Sequence, residues 1–326
     1  MTGAGPDPPV PGLDVLTIGR VSVDLYADEP GATFADPQRF VKSVGGSPTN
    51  VAVAAARLGR RAAVITKVGD DPFGVYVRHK LESLGVDVRY VGVHPTLRTP
   101  LAFAALAPPE DPELLFYRVP DAPDTTIDEA TLDLDAITAV PVVWVSAGAL
   151  AGGTSAAAVD ALLAARDRAR HTVLDLDYRP QFWASATEAS ERVGEAVTRC
   201  TVAVGNRAEC RVAVGTDDPR EAARRLLDRG VELAVVKQGA EGVLVATVDG
   251  VSTVAPHPVQ VVCGLGAGDG FGGALCHGLL AGWSPERTVR FANVAGAIVA
   301  SRLLCSDAMP TEAEVQRELE GAHAAR

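Results

Sequence analysis

Val261–Leu275 reads VVCGLGAGDGFGGAL, six glycines among apolar residues around a single charged side chain, Asp269. Glycine costs roughly 0.5–1 kcal/mol relative to alanine inside regular structure, so such a cluster marks backbone that must come very close to something. Gly268, Gly270 and Gly273 satisfy the G-x-G-x-x-G spacing of dinucleotide-binding folds. That fingerprint needs a following strand with an acidic residue about twenty positions on. Here a second helical pattern follows instead, with Asn293 near that position, and the dinucleotide reading is disfavoured. No G-x-x-x-x-G-K-[ST] occurs, which excludes a P-loop. What remains is a strand (VQVV, Val259–Val262), a glycine turn and a helix that begins near Asp269. The N–H groups of Gly266, Ala267 and Gly268 then point at whatever sits above the helix N-terminus, where the dipole adds roughly half a positive charge. Such a turn suits a phosphoryl group in transfer, and an aspartate beside it can accept the proton of an attacking hydroxyl. The plainer alternative is an aspartate that only caps the helix.

Outward from this turn, short β-branched runs alternate with Ala/Leu/Arg helical patterns. LDVLTI, RAAVITKVG, PVVWVS, HTVLDLD, TVAVGN and LAVVKQG read as strands apolar on both faces, as buried parallel strands are. SAAAVDALLAARDRAR and DDPREAARRLLDRG between them have helical spacing. The order predicts βαβ crossovers and a doubly wound, mostly parallel α/β sheet. Residues 20–43 and 88–118 break the alternation with period-2 stretches such as VSVDLYAD and TPLAFAAL. They are expected to pair as a small sheet beside the main body, a common way to build a lid.

The 326-residue chain has a formal net charge of −11, only four lysines and no basic stripe, so a nucleic-acid partner is not expected. No run of about eighteen apolar residues suggests a membrane span. Residues 1–12 are proline-rich with little to bury and read as a disordered tail, without the features of a signal peptide. A cytoplasmic protein is expected. The five cysteines lack C-x-x-C pairs, which argues against both a disulfide framework and a zinc site.

Ser43–Gly59 (SVGGSPTNVAVAAARLG) is a second glycine device, in which Gly45 and Gly46 permit close approach and Asn50 opens a helix. Its plain alternative is an N-capping turn, because Ser47, Thr49 and Asn50 all cap well. GGSPTN near the start and GLGAGDGF near the end resemble the two signatures of the ribokinase-like (PfkB) sugar-kinase family. GDDPFG (Gly69–Gly74), GNRAE (Gly205–Glu209) and KQGAEG (Lys237–Gly242) fall between them in the family's order. The resemblance covers about residues 13–320 and implies a ribokinase-like kinase domain over 13–322.

Carried over position by position, the resemblance implies that Asp269 is the base and that the Gly266, Ala267 and Gly268 amides form an anion hole. Asp24, Gly45, Gly46 and Asn50 would touch the sugar hydroxyls. Asn206 and Glu209 would help hold Mg2+ and its waters beside the ATP phosphates. Lys237, Gly239 and Gly242 would border the nucleotide, with Asn293 beside the adenine. Cys263 stands where relatives usually carry Asp or Asn, which counts against a bound monovalent cation. Lid sheets in the family often pair, so a homodimer through the lid is an expectation.

Two arginines bear on the substrate. Arg118 in LLFYRVPDAPDT and Arg179 in LDLDYRPQFW follow elements that end where a sugar would enter. Two guanidiniums in an acidic protein make sense if the substrate carries a carboxylate, which each can grip with paired hydrogen bonds. Alternatively they pair with Asp121 and Asp175, or reach only the ATP phosphates. D-x-N-x-R is similar to 2-keto-3-deoxygluconate kinases, here with Asp177 for Asn. LDYRP, FYR and CSDAMP (Cys305–Pro310) together more closely resemble the 5-dehydro-2-deoxygluconokinase branch, which phosphorylates the terminal hydroxyl of a keto-deoxy sugar acid. A neutral-sugar kinase such as fructokinase and a non-catalytic sugar-binding regulator are the remaining readings, the last disfavoured by the intact Asp269 turn.

Overall fold

The computed structural model describes residues 12–29, 31–105, 112–169 and 171–324; the tail expected over 1–12 lies outside these, apart from Gly12. The six strands read from the sequence form the centre of a ten-stranded sheet. From one edge it runs Gly250–Val254, Val243–Thr247, Leu233–Lys237, Val202–Asn206, Thr172–Asp175, Val142–Ser146, Val15–Ile18, Ala62–Gly69 and Val86–Asp87, with the tenth strand, Val91–His94, beside Ala62–Gly69. All pairs are parallel except the two at the Gly250–Val254 edge, where a hairpin turns the chain back. Strand side chains alternate between two cores. Val15, Val64, Val142 and Trp144 face the helices Ser47–Arg57, Ala267–Leu280 and Pro285–Ala300. Leu16, Ile65, Val143 and Val145 face Gly153–Arg166, Ala186–Val197 and Pro219–Asp228. Helices on both faces of a mostly parallel sheet are what an apolar-on-both-faces strand demands.

A separate four-stranded sheet orders Phe40–Gly45, Ser22–Ala27, Leu101–Ala105 and Glu113–Tyr117. Its middle pair is parallel and its outer pairs antiparallel. Alternation splits its residues by face: Asp24, Ala102 and Phe116 line a cavity. Phe103 on the other face meets Phe34, Phe40 and Tyr117 edge-on at centroid distances of 6.4, 5.3 and 5.5 Å.

Two readings of the sequence are corrected here. Val91–His94, expected in the small sheet, pairs with Ala62–Gly69 of the large one. Val259–Val262 is not a strand: Pro256 and Pro258 precede it, and Val259, Val261 and Val262 are about 40% exposed. The Val262 and Cys263 amides instead hang from the Ala300 carbonyl at the end of a helix. Among the described residues, no helix is long and apolar enough to cross a membrane.

Candidate active site

Parallel strands present their C-terminal ends to one edge of the sheet, where α/β folds place ligands. Arg20 follows Val15–Ile18, Asp175 ends its strand with Asp177 two residues on, and Asn206 and Lys237 end theirs. These side chains, the small sheet and the glycine turn enclose a cavity of about 500 Å³.

The glycine turn ends at Gly266, whose φ of +83° places it in the left-handed region, and a Cβ there would lie 2.7 Å from Cys305 Sγ. The helix Ala267–Leu280 starts without a side-chain cap. Asp269 therefore does not cap it. Its Oδ2 accepts instead from Asn50 Nδ2 at 2.8 Å. The Ala267 amide turns to the Gly264 carbonyl at 3.3 Å, while among the described residues no acceptor engages the Gly266 and Gly268 amides. Lys237 Nζ lies 3.4 Å from where a Cβ on Gly268 would stand.

GGSPTN crosses this site from the other side. Gly46 has φ +98°, and a Cβ on it would come within 2.4 Å of the Arg20 carbonyl, so only glycine lets the two segments cross. None of the three candidate caps acts as one. The Ser47 hydroxyl donates to Asp175 at 3.1 Å and Thr49 to the Arg20 carbonyl at 3.0 Å. Asn50 joins Asp269.

On the side of the small sheet, Asp24 accepts from Ser22 Oγ at 2.6 Å and Tyr26 Oη at 3.4 Å. Arg118 pairs with the buried Asp124 at 2.6 Å rather than with Asp121. Arg179 Nε donates to Asp177 at 3.1 Å, and Arg20 binds the same carboxylate from the other side. Arg20 and Arg118 both lie over the Phe182 ring, 5.7 and 4.8 Å from its centroid.

The cavity thus brings together Asp24, Gly46, Asn50, Arg118 and Arg179 with Asn206, Glu209, Lys237, Gly239, Gly266, Gly268 and Asp269. Gly45, Ala267, Gly242 and Asn293 lie outside its lining. A Cβ on Gly45 would overlap the Asp24 carboxyl, so its role is to make room for that group. Gly242 turns against the Val254 carbonyl, and Asn293 donates to the Ala255 carbonyl at 2.9 Å. Arg20, Asp175 and Ser47 line the cavity although the sequence reading does not place them among the site residues. The legible signal was position: each sits at a strand end or in a glycine crossing.

Burial dominates the electrostatics. It lifts Asp269 above its ordinary range, while hydrogen bonds from Asn50 and Ser47 oppose the rise. It pushes Asp24 up to about 6. Asp175 is raised by burial against the charge of Lys237. Burial would raise Asp177 too, but Arg20 and Arg179 outweigh it and hold that carboxyl low. For Lys237 burial works downward, and the carboxylates of Glu209 and Asp175 outweigh it, so the ammonium stays charged.

Among the described residues no three His, Cys, Asp or Glu side chains converge as a metal cage. Asn206 and Glu209 close a capping box, Asn206 Oδ1 accepting from the Glu209 amide at 2.9 Å and Glu209 Oε2 from the Asn206 amide at 2.6 Å. Among the described residues no donor engages the second Glu209 oxygen. This fits a magnesium ion that takes most of its oxygens from phosphates and water, with the protein touching those waters.

Residues 13–312 match the pfkB family carbohydrate kinase pattern. The chain is 33% identical to the 5-dehydro-2-deoxygluconokinase of Geobacillus kaustophilus over 315 residues, 94% of each chain. It is 32% identical to that of Bacillus anthracis, covering 95% and 96%. A PfkB protein from Polaromonas superposes with a TM-score of 0.82 at 28% identity over 93% of this chain and 99% of that one. Vibrio cholerae fructokinase, in its fructose, ADP and calcium form, gives 0.83 at 27% over 94% and 99%. A putative ribokinase II from E. coli with ATP and Mg2+ shares the fold, at a TM-score of 0.86 and 23% identity over 95% and 99%. Similarity to this extent, on a sheet that gathers an aspartate and open amides into one cavity, is decisive: the chain belongs to the pfkB family of carbohydrate kinases.

Proposed function

We propose that this kinase transfers the γ-phosphoryl group of ATP to the terminal hydroxyl of 5-dehydro-2-deoxy-D-gluconate, giving the 6-phosphate and ADP. The observation that carries the reaction is Asp269, held by Asn50 beside the unengaged Gly266 and Gly268 amides. Asp269 takes the hydroxyl proton as the new P–O bond forms and the bond to the ADP oxygen breaks. The Gly266 and Gly268 amides and Lys237 meet the charge on the phosphoryl oxygens. Mg2+ bound with ATP would supply charge neutralisation at the phosphates, and Asn206 and Glu209 would steady its waters. Gly239 borders the phosphates, Gly242 shapes that turn and Asn293 stands on the helix beside the adenine. The kinase unit spans 13–322, the small sheet is its lid, and a cytoplasmic enzyme has ATP at hand.

The acid substrate is supported by the names of the relatives and by the arginines at the sugar end. Arg118 commits two nitrogens to Asp124, whereas among the described residues Arg179 is tied through Nε alone, which leaves both of its Nη groups for a carboxylate. A neutral-sugar kinase is the second reading, favoured by the carboxylates already facing Arg20 and Arg118. An ADP-release assay over keto-deoxy acids and neutral sugars decides between them. Preference for fructose over every keto-deoxy acid would overturn the assignment. The aromatic outer face of the small sheet is where we place a second copy of the chain.

A further inference from the structure

CSDAMP serves the sequence reading only as a signature, yet the structure sets it against the reacting end of the cavity. Ser306–Ala308 is a short turn after the helix Pro285–Ala300. Ser306 is fully buried, and its hydroxyl donates to Asn50 Oδ1 at 2.7 Å. Asn50 donates from Nδ2 to Asp269 at 2.8 Å. A carboxamide has one accepting end and one donating end. With the accepting end satisfied by Ser306, the donating end stays on the carboxylate. Without that hydroxyl, Asn50 Oδ1 is a buried acceptor lacking its partner, and among the described residues nothing but the Nδ2 bond to Asp269 then holds the amide in this orientation. Rotation would turn an oxygen toward an ionised aspartate.

We propose that Ser306 is a positioning residue for phosphoryl transfer, locking the Asn50 carboxamide so that its Nδ2 holds one oxygen of Asp269 and the other is left for the hydroxyl proton. The proposal rests on Asp269 being the base. The same hydrogen bond stabilises the ionised carboxylate against burial. The other groups facing Asp269 are the cations Arg20 and Lys237, the carboxyls of Asp24, Asp175 and Asp177, and the Cys305 thiol. Among the described residues the Ser306 hydroxyl donates to Asn50 and to none of these.

The test is Ser306→Ala in the full-length enzyme, read by the pH profile of kcat. A base that loses a donated hydrogen bond ionises at higher pH. The acid limb should move up by about one pH unit, so that kcat on that limb falls about tenfold, with KM for ATP little changed. In the Asn50→Ala background the same substitution should change nothing further, because the two act in series. If Ser306→Ala does not fold, Ser306→Cys, close in size but a weak donor, carries the same measurement. An unmoved acid limb with kcat within about twofold of the parent, or losses that multiply in the double variant, overturns the proposal. Failure of the underlying reading looks different: Asp269→Asn would then keep its turnover. A dead Asp269→Asn beside an unmoved Ser306 profile sinks only Ser306.

Discussion

Asp269→Asn keeps the size of the side chain but cannot take a proton. Turnover should fall at least ~10²-fold while ATP still binds, measured by steady-state kinetics and calorimetry. A general base works ionised, and burial raises the Asp269 carboxyl. Activity should therefore fade on the acid side above the usual carboxylate range, as pH drops through the Asp269 titration. The arginines give a sharper contrast. Arg179, whose Nη groups have no partner among the described residues, should matter only to a charged substrate. Arg179→Ala should cost about ten- to a hundredfold in kcat/KM for the keto acid, since a charge-assisted contact is worth roughly 1.5–3 kcal/mol, and far less for a neutral analogue. Arg118→Ala should hurt both substrates, because it also strands the buried Asp124, which holds the Val21 amide at 2.9 Å. Equal losses for Arg179→Ala on both substrates would remove the argument for an acid sugar.

The helix Arg207–Val214 begins at the Asn206–Glu209 capping box, so Glu209 serves the helix and lines the cavity at once. Glu209→Gln keeps an accepting oxygen for the cap and loses the charge. The magnesium midpoint should rise about tenfold with sugar affinity unchanged, and an unmoved titration curve would leave Glu209 as a cap alone. Elements like this strand–helix junction were legible because their signal is local: apolar runs on both faces, then N-x-x-E. The GDGFGG helix was legible for the same reason. Val259–Val262 misled because β-branched residues score as strand wherever they stand, and only the missing neighbour reveals that they do not pair. Val91–His94 misled because period-2 alternation does not say which sheet a strand joins. The ties among Asn50, Asp269 and Ser306 span 219 and 256 residues, and no spacing rule reaches so far.

The small sheet pairs an inner face on the cavity with an outer face of Phe40, Phe103, Leu115 and Tyr117, of which Tyr117 is 60% exposed. Aromatic residues anchor protein interfaces and rarely cluster in water without one. Sedimentation should find a dimer, and Tyr117→Glu should yield monomers with the cavity intact; a monomeric parent would end that idea. The cavity itself has a consequence for heat measurements. Its lining sets Arg20, Arg118, Arg179 and Lys237 against Asp24, Asp175, Asp177, Glu209 and Asp269. Two of those carboxyls, Asp24 at about 6 and the raised Asp175, sit where neutral solution can still load them. Anionic ligands entering beside them raise both further, so binding draws hydrogen ions from the medium. The apparent binding enthalpy of a non-hydrolysable ATP analogue should then differ between phosphate and Tris at pH 7, in proportion to the ionisation heat of each buffer. Identical enthalpies would show that the cavity keeps its protonation state when it fills.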